Sequence, residues 1–460
     1  MVFSSLSFIF VILPLFLVCD HLARKLGNTF ARNMALLGVS LLFYIWGEAA
    51  NVLLLLALGV INYFGANRLH SSKGPSLLII LIALNLLVLF TVKYAFWLIG
   101  LVDPELMKKP IRMPLGISFF TFHAISYLID VQRKTIQPAR NTGDFLTYFC
   151  MFPHLVAGPI VRFAQVQNEL AGRGPDKDLF AFGIYRFLVG LNKKVIIANS
   201  VSILADSAFT MAPNGHLYGL DAWVGILAYT IQIYFDFSGY SDMAIGLAAM
   251  AGFRFEENFK RPYSSRSLRD FWRRWHISLS SWLRDYLYIP LGGSRHGTAA
   301  TYRNLFLVFF LCGLWHGANF TFVVWGIWHG LFLILERLPL GKAIDKMPLA
   351  LARLYAMLIV IIGWVFFRAD NLGAAVHYIS IMFGAEGAGE FTLGYHAAAL
   401  AALAAAMLLC ILPDKMFPSP GSRTPTKFSF GFYGVQALLA VLSIRLLLIN
   451  ARNPFIYFNF

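Results

Sequence analysis

Apolar residues run along this chain in long stretches, and short polar connections separate them. A helix needs roughly 20 residues to cross the hydrocarbon core of a bilayer, whereas the strands of a membrane barrel alternate over about ten residues. The pattern therefore predicts an all-α polytopic membrane protein with ten to thirteen transmembrane or re-entrant helices. The stretches, of which 33–66 and 302–336 each hold two passes, are 5–19, 33–66, 76–100, 114–131, 180–205, 220–252, 302–336, 348–367, 392–413 and 430–450.

One apolar stretch, TYFCMFPHLVAGPIVRF at 147–163, is interrupted by Pro153, Gly158 and Pro159 and carries His154. Proline inside a helix removes a hydrogen bond and clashes with the preceding turn. Irregular backbone persists at membrane depth only where protein covers it or where it lines a wet cavity. We expect this stretch to be a re-entrant segment or a kinked half-span.

A second unusual stretch, DFWRRWHISLSSWLRDYLYIPLGG at 270–293, crowds charges among tryptophans. Ser267 and Asp270 have the Ser-x-x-acid spacing of a helix start, and no proline or glycine follows until Pro290. A continuous helix of about 20 residues is predicted, at the membrane interface or against a polar cavity. On its wheel an indole face and a basic face are adjacent: Trp272, Trp275, Leu279, Trp282 and Tyr286, beside Arg269, Arg273, His276, Ser280 and Arg284.

Composition supports the membrane assignment. The 460 residues are 58% hydrophobic and 13% charged, and the mean hydropathy is +0.66.

The sequence shows no internal repeat and no soluble module, which predicts a single integral domain over 1–460. The start of the chain lacks a basic region and a cleavage site, so we expect a retained first span. Connections of modest length are expected near 101–113, 132–145, 161–179 and 413–429, and the last of these is the best candidate for an exposed loop.

The net charge of +15 is read as membrane orientation and as contact with anionic lipid or ligand, rather than with nucleic acid. Residues 254–303 hold ten Lys and Arg against four Asp and Glu, and we place them on the cytoplasmic side. The four cysteines form no CxxC pair and are interpreted as buried small hydrophobes.

The candidate chemistry lies in LWHGAN, where His316 falls within an apolar span between Gly313 and Gly317. These glycines leave the backbone bare enough for a ligand to approach. Trp315 and Asn319 are candidate lining and orienting groups. A neutral imidazole inside a helix bundle can act as a general base, a metal ligand or a simple hydrogen-bond partner.

Other ionisable residues leave more than one interpretation open. Asp236 and Asp242 lie in an apolar region, where an ionisable group is costly; they either orient polar groups, bind an Arg or form a structural ion pair. No zinc, nucleophile-elbow, phosphate-loop or dinucleotide motif is present, and no metal site is expected.

Together these motifs resemble the membrane-bound O-acyltransferase family, in its bacterial branch that acetylates exported polysaccharides such as alginate. The resemblance covers essentially the whole chain and is densest over 115–370. It is carried by LGISFFTFHAISYLIDVQR (115–133), FPHLVAGPI (152–160), YFDFSGYSDMAIG (234–246), RPYSSRSLRDFWRRWHISLSSWLRDYLYIPLGG (261–293), LWHGANFTFVVWGIWHG (314–330) and WVFFRA (364–369).

The resemblance implies a ring of tilted helices around a central funnel in the bacterial inner membrane. It implies that His316 is the catalytic residue and His276 its polar partner near the cytoplasmic mouth. The donor is expected to be acetyl-CoA as a co-substrate, with no bound cofactor, and a periplasmic acetyltransferase partner and the polysaccharide export machinery are expected partners. The basic face provides candidate phosphate ligands at Arg269, Arg273 and Arg274, with membrane anchoring as their alternative role. Further candidates for binding substrate or donor are Trp315, Asn319 and Asp236.

Two other functions stay open at this point. The acetylated polymer could be cellulose or another envelope polymer instead of alginate. A transporter could also move an acyl carrier or a small anion through the basic mouth without making a bond.

Overall fold

A computed structural model describes residues 2–72, 74–103, 113–387, 389, 391–412, 430–449, 453 and 456 of the chain. These residues form helices and loops, and no β-strand occurs among them. The predicted all-α fold is confirmed. The connection expected at 413–429 lies outside the described residues, as does most of the one at 101–113.

The chain divides into two compact units, each assembled from separate stretches. The first comprises Met1–Leu191, Tyr240–Glu257 and Gly421–Leu448. Its polar interior includes Arg32, which bonds to Asp20 at 3.1 Å, and Asn33, which bonds to Asp144 at 2.7 Å. Its helices are α1 (Leu13–Lys25), α2 (Thr29–Glu48), α3 (Asn51–Ser71), α4 (Ser76–Phe90), α5 (Phe96–Val102), α6 (Ile117–Gln132), α7 (Thr142–Cys150), α8 (Phe152–Leu155), α9 (Phe163–Ala171) and α10 (Lys177–Asn192), with α21 (Phe430–Ile449).

The second unit comprises Asn192–Gly239, Asn258–Pro420 and Ile449–Phe460, and it contains both candidate catalytic histidines. Helix α12 (Gly219–Ala251) contributes its first part to this unit and its last part to the first unit. The other helices are α11 (Asn199–Met211), α13 (Leu268–Arg274), α14 (Ile277–Leu283), α15 (Gly297–His316), α16 (Phe320–Leu335), α17 (Pro339–Lys346), α18 (Leu349–Arg368), α19 (Leu372–Met382) and α20 (Ala397–Ile411).

Six helices of the described part are long and apolar enough to cross a membrane, or seven spans if the bent pair α16–α17 counts as one. The multi-pass membrane protein is thereby confirmed. Several of the predicted apolar stretches form helices shorter than a full span. Helix α6 has 16 residues and α20 has 15, so neither meets the length of a full span.

The interruption predicted within 147–163 is present. Helix α7 ends at Cys150, Met151 is extended at ψ 124°, and the four-residue α8 follows. Gly158 has φ +110°, a conformation that a residue with a Cβ rarely adopts, and α9 begins at Phe163. The prolines and the glycine therefore break the helix, as expected from their local chemistry.

The single helix of about 20 residues predicted from Ser267 onward is wrong. Helix α13 ends at Arg274, Trp275 is extended, and His276 adopts left-handed angles before α14 begins at Ile277. A periodic pattern without proline or glycine did not reveal this break, because contacts with other segments impose it. The predicted indole face is also no lipid-facing anchor, since Trp272, Trp275, Trp282 and Tyr286 are all buried.

Candidate functional site

The helix that leads to His276 is anchored at its start by two acceptors. The Ser267 hydroxyl accepts a hydrogen bond from the Asp270 amide at 3.1 Å, as the Ser-x-x-acid pattern predicts. Buried Glu336 accepts from the amides of Leu268 at 2.6 Å and Arg269 at 3.0 Å. These amides have no partner within the helix, and a carboxylate there also complements the helix dipole. Helix α13 is thereby tied to the end of α16.

His276 lies at the break between α13 and α14, with φ 42° and ψ 55°. The left-handed region costs a non-glycine residue about 1–2 kcal/mol, and such residues concentrate at functional sites. Its side chain is fully buried in the connection between α12 and α15. Burial lowers the pKa of His276 from 6.5 to about 3, so the imidazole is neutral at physiological pH.

Asn258 holds the segment that carries His276. Its side-chain oxygen lies 3.1 Å from Nδ1 of His276 and 2.8 Å from the Ser278 hydroxyl, and it accepts from the Ser278 amide at 3.2 Å. Its backbone carbonyl accepts from the Ile277 amide at 2.9 Å. Asn258 could not be predicted from the sequence, because a lone Asn in a connection has no motif that marks it.

His316 is the last residue of α15, which pairs with α16 through glycines. A Cβ on Gly313 would lie 2.3 Å from the Phe322 carbonyl oxygen, and one on Gly317 would lie 2.2 Å from a Phe322 ring atom. The expectation that Gly313 and Gly317 leave room for a ligand is wrong, because Phe322 occupies that space. The glycines instead permit close helix packing, as small residues do between membrane helices.

Aromatic rings surround the imidazole of His316, which is 5% exposed. The ring centroids of Trp315, Trp325 and Phe367 lie 4.9, 5.0 and 5.1 Å from its own, all in edge-to-face arrangements. Such a setting excludes bulk water and places the imidazole nitrogens among aromatic rings, two of which carry an indole N–H. The chemistry that this permits is proton transfer or hydrogen bonding in a medium of low polarity.

Trp315 contacts both candidate histidines. Its ring centroid lies 4.9 Å from that of His316 and 6.4 Å from that of His276. The two histidines, far apart in sequence, therefore reach the same indole in the folded unit. That Trp315 lines a substrate site stays a prediction.

A third histidine, His329, belongs to the same aromatic cluster. In the sequence it lies within the apolar stretch 302–336. Trp325 lies 5.0 Å from His329 and also 5.0 Å from His316, centroid to centroid. Trp272 of α13 donates a hydrogen bond from Nε1 to Nδ1 of His329 at 3.3 Å. The spacing in LWHGANFTFVVWGIWHG gave no indication of this bond, because Trp272 comes from another segment.

The three arginines proposed for phosphate binding all lie on α13, but in different surroundings. Arg269 and Arg273 have exposed side chains. Arg274 is half-buried, and its Nε lies 2.8 Å from the Asp270 carboxylate. Two of the three candidates therefore present a guanidinium to solvent, on the same short helix that leads into the buried His276.

The two remaining candidates make structural contacts. The Asn319 side chain accepts from the Thr321 amide at 3.1 Å at the start of α16 and donates to the Asp370 carbonyl at 2.8 Å. Asp236 lies 2.7 Å from the Lys194 ammonium, with both side chains 2% exposed, and accepts from the Ile456 amide at 2.9 Å. Of the interpretations left open for Asp236, the structure shows a buried ion pair.

Comparison with known proteins places this chain in a family. The model of the membrane-bound O-acyltransferase family matches residues 140–367. A protein named probable alginate O-acetylase from Pseudomonas putida is 40% identical over the whole of both chains, and one from Pseudomonas aeruginosa is 46% identical over 83% of this chain and 75% of its own. The peptidoglycan O-acetyltransferase of Helicobacter pylori is 34% identical over 84% of this chain and 80% of its own.

The chain therefore belongs to the membrane-bound O-acyltransferase family, and the resemblance to its alginate-type branch is confirmed. The protein is a multi-pass membrane enzyme, an O-acyltransferase. A transporter that makes no bond is correspondingly disfavoured.

Proposed function

We propose that this O-acyltransferase moves acetyl groups from acetyl-CoA at the cytoplasmic side of the bacterial inner membrane towards an exported polysaccharide, with His316 as the general base. The observation that carries the proposal is the aromatic enclosure of His316, in which Trp315 also contacts His276. An imidazole held in this way can take the proton of a hydroxyl group as the hydroxyl oxygen attacks the acetyl carbon. The C–S bond of the thioester then breaks, and the sulfur of coenzyme A leaves with that proton as a free thiol. General-base catalysis typically contributes about 10²–10⁴-fold to the rate.

His276 is the polar partner of His316 in this proposal. Its neutral ring lies in the same cluster and can form a hydrogen bond with a reacting group while the tetrahedral centre develops. The neutral ring of His276 therefore need not lose a charge before the reaction begins. Together with the ring of His316 beside the same indole, it can take part in moving a single proton.

The exposed guanidinium groups of Arg269 and Arg273 are the proposed ligands for the donor. Coenzyme A carries phosphate groups, and arginine binds phosphate through short charge-assisted hydrogen bonds. Arg274 contributes less, because its guanidinium already pairs with Asp270. Trp315 and Asn319 are then a lining group and a structural cap, respectively.

Alginate is the proposed polymer, because two relatives named probable alginate O-acetylase are 40% and 46% identical to this chain. Cellulose or another envelope polymer is the alternative. A periplasmic acetyltransferase that completes the transfer, together with the export machinery, is the proposed set of partners. No nucleic acid takes part.

The decisive experiment measures acetyl ester on the exported polysaccharide in cells that carry the full chain or a variant. His316→Gln should lower acetyl ester by about 10²-fold or more at an unchanged amount of membrane-inserted protein. His296→Gln is the matched control, since His296 is an exposed histidine of the same unit and should leave acetylation unchanged. Equal acetyl content in the wild type and the His316 variant would disprove the catalytic assignment.

A further inference from the structure

Asn258 is a buried amide, 1% exposed, and its side-chain oxygen faces three donors of the segment 276–278. We infer that Asn258 is a positioning residue that holds His276 in the tautomer with its proton on Nδ1. The lone pair of the imidazole is then on Nε2, the nitrogen that accepts the proton in the proposed reaction. The use of that lone pair in catalysis rests on the proposed acetyl transfer, whereas the tautomer itself does not.

The orientation of the Asn258 amide follows from its backbone neighbour. The Ser278 amide can only donate, so the side-chain atom 3.2 Å from it must be the oxygen, not the nitrogen. The same oxygen lies 3.1 Å from Nδ1 of His276. An oxygen with no hydrogen can only accept, so Nδ1 carries the proton in the bond between them. The Ser278 hydroxyl also lies 3.4 Å from Nδ1, but it donates its hydrogen to the same Asn258 oxygen at 2.8 Å.

The neutral state of His276 completes the assignment. Its ring packs against the rings of Phe237 at 4.7 Å, of Phe259 at 6.4 Å and of Trp315 at 6.4 Å between centroids. Placing a positive charge among these rings, away from water, is unfavourable because burial favours the neutral imidazole. A neutral ring carries one proton, and with that proton on Nδ1 the lone pair is on Nε2.

Asn258 also holds the backbone that gives the ring its direction. Its carbonyl accepts from the Ile277 amide at 2.9 Å, and its side chain accepts from the Ser278 amide, both directly after the left-handed residue. The nearby Lys260 amide donates to the Arg274 carbonyl at 2.9 Å. The strained angles of His276 therefore persist because this connection binds both flanks of the break.

The first test reads the tautomer directly in the full chain, in lipid nanodiscs, by nitrogen-15 NMR of labelled histidine. The His276 signals are assigned by their loss in the variant His276→Asn. Asparagine is chosen because it tolerates the left-handed backbone angles of position 276. We expect a protonated Nδ1 and a bare Nε2 at neutral pH. A wild-type protein with the proton on Nε2 would overturn the inference.

Variants of Asn258 then test its role. Asn258→Leu keeps the volume but removes the acceptor, and it should shift His276 towards the other tautomer. Asn258→Asp keeps an acceptor for Nδ1 and for the Ser278 amide, so it should preserve the tautomer. If Asn258→Leu kept the proton on Nδ1, Asn258 would not be what positions the ring.

Turnover of acetyl-CoA, followed as release of the free thiol, gives a second readout. We expect the kcat of Asn258→Leu to fall by about 10²-fold with a KM within about threefold, and Asn258→Asp to recover most of the loss. Asn304→Leu is the matched control: buried Asn304 donates to the carbonyls of Leu291 and Gly293, and its loss should lower stability without changing the His276 tautomer. A wild type with the expected tautomer but no turnover would disprove the proposed function and still support the tautomer.

Discussion

The indole of Trp272 donates a hydrogen bond from Nε1 to Nδ1 of His329 at 3.3 Å, with the two rings nearly perpendicular at 88°. An indole nitrogen only donates, so Nδ1 of His329 must be the acceptor and its proton must be on Nε2. Both side chains are buried. This bond joins α13, which leads to His276, to the helix that follows His316.

The first prediction concerns this bond. Trp272→Phe keeps an aromatic ring but removes the donor, which leaves the buried Nδ1 of His329 without its hydrogen bond. We expect the free energy of unfolding to fall by about 1–3 kcal/mol. The midpoint of thermal unfolding in detergent measures the change. Trp46→Phe, at a tryptophan that is 56% exposed, is the control, and an equal shift in both variants would contradict the prediction.

The second prediction concerns Glu336, whose carboxylate accepts from the first two amides of α13. Glu336→Ala leaves both amides without their acceptor and should cost about 1–2 kcal/mol, as the loss of a helix cap does. We also expect acetyl transfer to fall, because α13 sets the approach to His276.

The measurement for Glu336 combines the unfolding midpoint with acetyl-CoA turnover. Glu386→Ala, at an exposed glutamate of the same unit, should change neither quantity. If Glu336→Ala unfolded at the wild-type temperature, the cap would not stabilise α13.

The third prediction concerns the buried ion pair of Lys194 and Asp236. Lys194→Met alone leaves a buried carboxylate without its cation and should cost about 3–5 kcal/mol. The double variant Lys194→Met with Asp236→Leu should recover most of the folded protein, because an apolar pair of similar volume replaces the ion pair. The yield of folded protein after extraction measures both.

The same double variant tests whether Asp236 binds the donor, as the sequence allowed. A purely structural pair predicts a KM for acetyl-CoA unchanged from the wild type. A KM raised severalfold in a well-folded double variant would restore Asp236 to the donor site.

The fourth prediction separates the arginines of α13. Arg273→Gln should raise the KM for acetyl-CoA by about tenfold, since a hydrogen bond to a charged group contributes about 1.5–3 kcal/mol. The effect should weaken at high salt, because ions screen exposed charges. Arg274→Gln should change the KM less, since its guanidinium pairs with Asp270.

Arg295→Gln serves as the control for an exposed charge away from α13. If Arg273→Gln left the KM unchanged and instead reduced membrane insertion, the role of Arg273 would be anchoring. Steady-state turnover over a range of acetyl-CoA and salt concentrations makes the distinction.

Part of the site was predictable from neighbouring residues. The Ser267 cap and the break at 147–163 follow from side chains and prolines adjacent to them in sequence, and both are present. The position of His316 at the end of an apolar helix was predictable in the same way. Gly313 and Gly317 were misinterpreted, because the sequence does not show that Phe322 occupies the space beside them.

The helical membrane fold and the family could be predicted from the amino-acid sequence, because hydrophobic runs, caps and motifs are local features. The left-handed turn at His276, the amide of Asn258 that fixes it and the indole of Trp315 that two histidines share are seen only in the folded protein. These depend on hydrogen bonds and ring contacts between residues far apart in the chain. A helical pattern carries no record of such partners, and at His276 their combined contacts outweigh the helix that the local pattern favours.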